Sequence, residues 1–287
     1  MKANFIKTGL LKKINLRSKL TGLFIILVVI TIGTAGYISY STRISHLEES
    51  YLKSITAMAD LKTEMISNFL DKAISDVDHL SQLPALQTVL VEEDTSGIGE
   101  DFDLFGEMDL QTSEDDPVQE SLIEFNRTVD AVELLITNKE GEIMHRTDPS
   151  GIHSNIRQVI EGYDEEIVPK TAEGTYISRI FKEEDAFRLI IGAPVKSVSG
   201  NVELLCFIKK SLDELYKVLA MDLDGTQTVE TVLTAKIGDR AVILNPLKSE
   251  VEAALKRGVF LDEERGMAMQ ASAMGESGSG FSVDYRN

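Results

Sequence analysis

The spacing of apolar residues changes three times along the chain. Residues 20–42 carry no charge, and Lys19 and Arg43 close the run at either end. As a helix this run would reach about 35 Å, enough to cross the hydrocarbon core of a bilayer with some tilt. Its apolar centre is Leu23-Phe24-Ile25-Ile26-Leu27-Val28-Val29-Ile30, and Tyr37 and Tyr40 fall where an interfacial aromatic belt would lie. From 44 to 82 the period becomes helical. Leu47, Tyr51, Ile55, Met58, Met65, Phe69, Ala73, Val77 and Leu80 recur at steps of three, four or seven, with no Pro or Gly between them. A helix of about 58 Å is predicted, readable as a stalk that pairs with its copy or as the spine of a domain; the two readings are compatible. Pro84 breaks it, and 85–91 reads as a short second helix.

Residues 92–120 then hold twelve acids and no base, with Gly97, Gly99, Gly106 and Pro117 among them, which predicts a solvated loop. No D-x-D-x-D-G spacing marks it as a calcium site. Beyond it the pattern is that of strands. Residues 132–137 and 142–147 flank the turn Asn138-Lys139-Glu140-Gly141, and 175–181 and 186–196 flank 182–185. A further strand, 201–209, follows Ser199-Gly200. Residues 212–221 close the unit as a helix with Leu212, Leu215, Val218 and Leu219 on one face. The expected architecture is α+β: helices packed on one face of an antiparallel sheet of about five strands. A weaker cycle follows, with a strand at 240–245, a helix at 248–257 and a strand at 281–285, too few elements to close a sheet of its own.

Charge gives the chain a direction. Residues 1–19 carry six basic residues and no acid, while the rest holds 23 basic and 47 acidic residues, or −24. A basic segment before the apolar run places the N-terminus in the cytoplasm and everything after Arg43 outside it. A cleavable leader ending near Gly33-Thr34-Ala35 is the competing reading. The 19-residue basic region and the helical pattern continuing past Ala35 favour an anchor. So acidic a surface repels nucleic acid. The single Cys206, inside an apolar run, excludes an intrachain disulfide and a cysteine-based zinc cluster, and reads as a small buried hydrophobe.

Taken in order, these segments resemble the double-Cache, PAS-like extracytoplasmic sensor domain of bacterial transmembrane receptors. The resemblance rests on the membrane helix, the long helix ending Asp76-Val77-Asp78-His79-Leu80-Ser81-Gln82-Leu83-Pro84-Ala85, and the strand-turn-strand 134–143. It continues through Thr147-Asp148-Pro149-Ser150-Gly151, Thr175-Tyr176-Ile177-Ser178 and Ile191-Gly192-Ala193-Pro194-Val195. Residues 236–245 look like the opening of a second PAS-like unit, and 280–287 like the approach to its last strands. The resemblance implies a cytoplasmic tail 1–19, an anchor 20–42, a stalk and short helix 43–91, and an acidic loop 92–120. It further implies a membrane-distal subdomain 121–222 and a partial membrane-proximal one 223–287. It implies that a small extracellular ligand binds the distal subdomain. The signal would pass down the long helix and a second transmembrane helix to a cytoplasmic histidine kinase, diguanylate cyclase or chemotaxis module, and the stripe on the long helix predicts a homodimer. The chain shows neither a second membrane helix nor an output module, so it reads as a truncated receptor. The Arg-x-Trp-Tyr pattern by which relatives hold amino acids is absent, and the chain has no Trp.

In such a fold the ligand pocket lies between the sheet and residues 147–174, and Tyr163, Tyr176, Arg179 and Arg188 are the candidates to face it. Arg179 and Arg188, on neighbouring expected strands, suit a carboxylate clamp. The alternative is that both pair on the surface with Glu183, Glu184 or Asp185. His145 and His153 lack a third partner for a metal. No cofactor, metal or catalytic constellation is expected. The rival readings are an exported enzyme or accessory factor, for which no catalytic site is visible, and a structural dimeric stalk, for which the sheet is superfluous.

Overall fold

The computed structural model of the chain describes residues 16–96, 116–160, 164–221, 230–278, 283 and 285. It divides into two compact units, Met1–Asp60 and Leu61–Asn287. In the first, the described residues belong to helix α1 (Leu16–Ser81), the one helix among the described residues long and apolar enough to cross a membrane. Leu20, Leu23, Phe24, Ile25, Ile26 and Leu27 are all more than half exposed, as a lipid-facing surface requires.

In the second unit the end of α1 becomes a core element, its stripe Ala73, Val77 and Leu80 fully buried. Helix α2 (Pro84–Ser96) starts with Pro at its first position, where the missing N–H costs nothing. It runs past Val91. Helix α3 (Pro117–Val129) begins inside the sequence expected to be loop, so the acidic stretch is helical at both ends. The cause is local: the Asp116 carboxylate accepts from the Val118 amide as an N-cap, Pro117 follows, and Val118, Leu122 and Val129 supply a buried stripe.

The main sheet comprises β1 (Glu133–Thr137), β2 (Ile143–Arg146), β3 (Tyr176–Ile177), β4 (Phe181–Glu183), β5 (Ala186–Lys196) and β6 (Val202–Ser211). Its order is β2-β1-β6-β5-β3, with β4 also pairing β5. The expected strand over 175–181 is thus two short ones. The β1–β2 turn contains Gly141 at φ +84°, the left-handed angle that a side chain resists. Period-two alternation sorts the strands cleanly between two faces. Leu134, Ile136, Leu189, Ile191, Leu204, Cys206 and Ile208 pack against α1, α2, α3 and helix α6 (Asp213–Leu219). Lys210 pins that side, donating to Asp76 Oδ2 at 2.9 Å and to the Val129 carbonyl.

Leu135, Ile190, Leu205, Phe207 and Phe181 face the other way, under helices α4 (Ile156–Val159) and α5 (Ile167–Glu173). Both sheet faces are therefore covered, where one was expected. Helices of four and seven residues are too short to show a period in sequence. They are set instead by contacts such as the Asn155 side-chain cap on the Arg157 amide. Cys206 is buried as expected, and burial pushes its thiol up to about 12.

Residues 230–278 build a second antiparallel sheet, β7 (Thr234–Ile237), β8 (Arg240–Ile243) and β9 (Gly258–Phe260), under helix α7 (Met267–Ala273). This corrects the expectation that the segment holds too few elements to form a sheet of its own. Ala241, Ile243, Leu247, Ala253, Val259 and Met269 form a core of its own. The helix expected at 248–257 is only a 3-10 turn at Val251–Ala253. The strand expected at 281–285 falls mostly outside the described residues.

Lys62 ties the long helix to the end of α6 and to the segment that enters the second sheet. The residue is 6% exposed, and its ammonium donates to the carbonyls of Leu219 at 2.7 Å and Met221 at 2.9 Å, at the end of α6, and to Thr231 Oγ1 at 2.7 Å. Buried Asn245 extends the link, donating to the Thr231 carbonyl and accepting from the Leu233 amide. A cation at a helix C-terminus also meets the negative end of the helix dipole.

Candidate functional site

The sheet face under α4 and α5 is apolar along most of its width and charged at one border. Glu133 on β1, Arg146 on β2, Lys209 on β6, Glu183 on β4 and Arg188 on β5 share this face by register with Leu135, Phe207, Phe181 and Ile190. They form one continuous row. Arg146 donates Nε and Nη2 to Glu133 Oε1 at 2.9 and 2.7 Å. Lys209 Nζ bridges Glu133 Oε2 at 2.7 Å and Glu183 Oε1 at 2.9 Å. Arg188 Nε lies 3.6 Å from Glu183 Oε2, and Arg188 Nη1 donates to Ser211 Oγ at 2.8 Å.

Two features make this row more than a surface network. It is sunk into the fold, Glu133 being 1% and Lys209 5% exposed. It also carries three cations against two carboxylates, and Arg188 Nε is buried without a hydrogen-bond partner. A buried donor left without an acceptor costs free energy. Partly buried Asp148 adds some compensation: the Ser150 hydroxyl and amide hold its carboxyl below the usual range, with smaller help from Lys209 and Arg146. The turn carrying Asp148 packs closely here, since a Cβ on Gly151 would lie 2.1 Å from the Arg146 guanidinium carbon.

Of the residues expected from sequence, Arg188 is in the row. It is paired with Glu183, as the alternative reading had it. Tyr176 lies on the same face, opposite Gly192, its hydroxyl 3.3 Å from Asp164 and the Lys170 ammonium 5.6 Å from its ring centre. Burial, then Asp164, raises its pKa. Arg179 is exposed and sits between β3 and β4 rather than in a strand. Tyr163 lies outside the described residues. His145 pairs with Asp116 at 3.2 Å, and burial lowers its pKa against that carboxylate's pull. His153 lends only its carbonyl, to Arg146. Among the described residues no cluster of three metal-ligating side chains occurs. Glu133, Arg146 and Lys209 were not anticipated, although a lone acid inside 132–137 and a lysine ending 201–209 are the signals that mark Glu133 and Lys209.

No family model matches the sequence, and no curated protein matches it. Solved structures do. The sensor domain of the V. cholerae histidine kinase DctB is similar at 12% identity with a TM-score of 0.43, covering 61% of each chain. This chain therefore spans about three fifths of that domain's length. The ligand-binding domain of the Pseudomonas aeruginosa PAO1 chemoreceptor PctB, in complex with L-Arg, is similar at 15% identity with a TM-score of 0.43, covering 80% of this chain and 81% of that one. That of PctC from the same organism, in complex with GABA, is similar at 12% identity with a TM-score of 0.44, covering 78% and 83%.

Proposed function

We propose that residues 44–287 are the extracytoplasmic small-molecule sensing module of a double-Cache membrane receptor, its output module being a histidine kinase. The single observation that carries this reading is the charged row with its surplus cation. It borders a sheet face covered by short helices, and it suits a small anion such as a carboxylate. The anchor at 20–42 and the basic segment before it support single-pass insertion in the inner membrane, N-terminus cytoplasmic, residues 44–287 periplasmic. In this reading 121–222 is the membrane-distal subdomain and 223–287 the proximal one. Arg188 and Lys209 meet the ligand's charge, while Tyr176 with its neighbour Asp164 borders the same face.

The test is a melting curve of the full chain in lipid nanodiscs. A saturating small carboxylate should raise the melting temperature, since ligand at a hundred times Kd contributes about 2.7 kcal/mol. Arg188→Ala should abolish the shift and Arg179→Ala should leave it. A shift that survives Arg188→Ala would place the ligand elsewhere.

Dimerisation through the long helix belongs to the same reading. Leu47, Tyr51 and Leu52 are exposed in the single chain, 69%, 47% and 44% respectively, on the register whose later residues are core. Charge placed at Ile55 and Met65 together should convert a dimer to a monomer in ultracentrifugation. A monomer before and after the change would remove the paired stalk.

A further inference from the structure

We propose that Glu183 is an internal occupant of the ligand's anion position, displaced when a small carboxylate binds between Lys209 and Arg188. The inference rests on the sensing role given to this face and says how the site is kept closed without ligand.

The two carboxylates of the row are held unequally. Glu133 is immobilised: both its oxygens are engaged, Oε1 by two nitrogens of Arg146 and Oε2 by Lys209, and its side chain is 1% exposed. Glu183 stands at the outer end with a side chain 36% exposed. Its strand β4 has three residues, pairs only with β5, and runs into a turn where Glu184 adopts φ 54°. Such an edge element moves at little cost.

Glu183 also fits its place imperfectly. It accepts from Lys209 at 2.9 Å, yet stands 3.6 Å from Arg188 Nε, beyond hydrogen-bond range, and that buried N–H finds no other acceptor. A free carboxylate is not tied to a backbone. It could accept from the lysine with one oxygen and from the guanidinium edge with the other, satisfying the donor that Glu183 leaves bare. The exchange conserves charge at the site: one carboxylate leaves for solvent as another enters, so no buried charge is created.

Titration calorimetry of the full chain in nanodiscs, with acetate as probe, tests this. Glu183→Gln removes the competing charge while keeping an acceptor for Lys209, and should tighten acetate binding by about tenfold or more. Glu183→Ala should do the same, which keeps the test alive should either variant fold poorly. Glu173→Gln, an exposed acid on α5, should leave the affinity unchanged and so controls for net charge. If wild type binds acetate and both Glu183 variants bind it no better, the displacement mechanism is wrong and the sensing role stands. If none of the proteins binds acetate, both fall.

Discussion

Glu133→Ala is expected to cost the folded domain about 3–5 kcal/mol, the range for breaking a buried ion pair by removing one partner. The carboxylate is surrounded: Arg146 and Lys209, with side chains 15% and 6% exposed, direct three donor contacts at it. Truncation strands both cations where water can reach them poorly, leaving Glu183 as the only acid in the row. The double variant Glu133→Leu with Lys209→Met removes one charge of each sign and should cost less than the single change. Urea unfolding followed at two wavelengths measures both. A Glu133→Ala loss below about 1 kcal/mol, the scale of an exposed pair, would mean the row is solvated and not buried.

Lys62→Met is expected to loosen the second sheet from the rest of the unit. Three oxygens lose their donor at once, and hydrogen bonds to a charged group contribute about 1.5–3 kcal/mol each before the relief of desolvating the ammonium is counted. The net loss should be about 2–3 kcal/mol on that scale, with a local signature. In wild type, residues 230–278 should resist protease as well as the main sheet does, because they have a core and are fastened by Lys62, Asn245 and the Tyr216 hydroxyl on the Leu244 carbonyl at 2.6 Å. In Lys62→Met that segment should be cut first. Cleavage at equal rates in the two proteins would show that Lys62 packs without fastening anything.

The sequence made some of this legible and hid the rest for physical reasons. Long uninterrupted periods, as in α1, and alternating runs with a Gly turn, as in β1–β2 and β5–β6, announce themselves because one residue's placement fixes the next. Helices α4, α5 and α7 do not, since four to seven residues held by caps and by the sheet leave no period to detect. Helix α3 was masked by acidic neighbours that say nothing about its buried stripe. The second sheet was underestimated because β7 and β9 have four and three residues and gain their burial from α7 and Leu247. Near the row, sequence places Arg188 and Tyr176 on strands, and the structure puts both on the face under α4 and α5. Glu133 required register: only pairing Glu133 with Lys209 across β1 and β6 reveals that the two charges face each other.

The central claim, that this sheet face holds a small anion, is tested most directly by equilibrium calorimetry. The full chain in nanodiscs would be titrated with acetate, succinate and sulfate, alongside Arg188→Met. The account predicts saturable binding of at least one carboxylate by wild type, about one per chain, and its loss in Arg188→Met with the fold intact. Absence of saturable binding for all three anions, or binding unchanged by Arg188→Met, would contradict it.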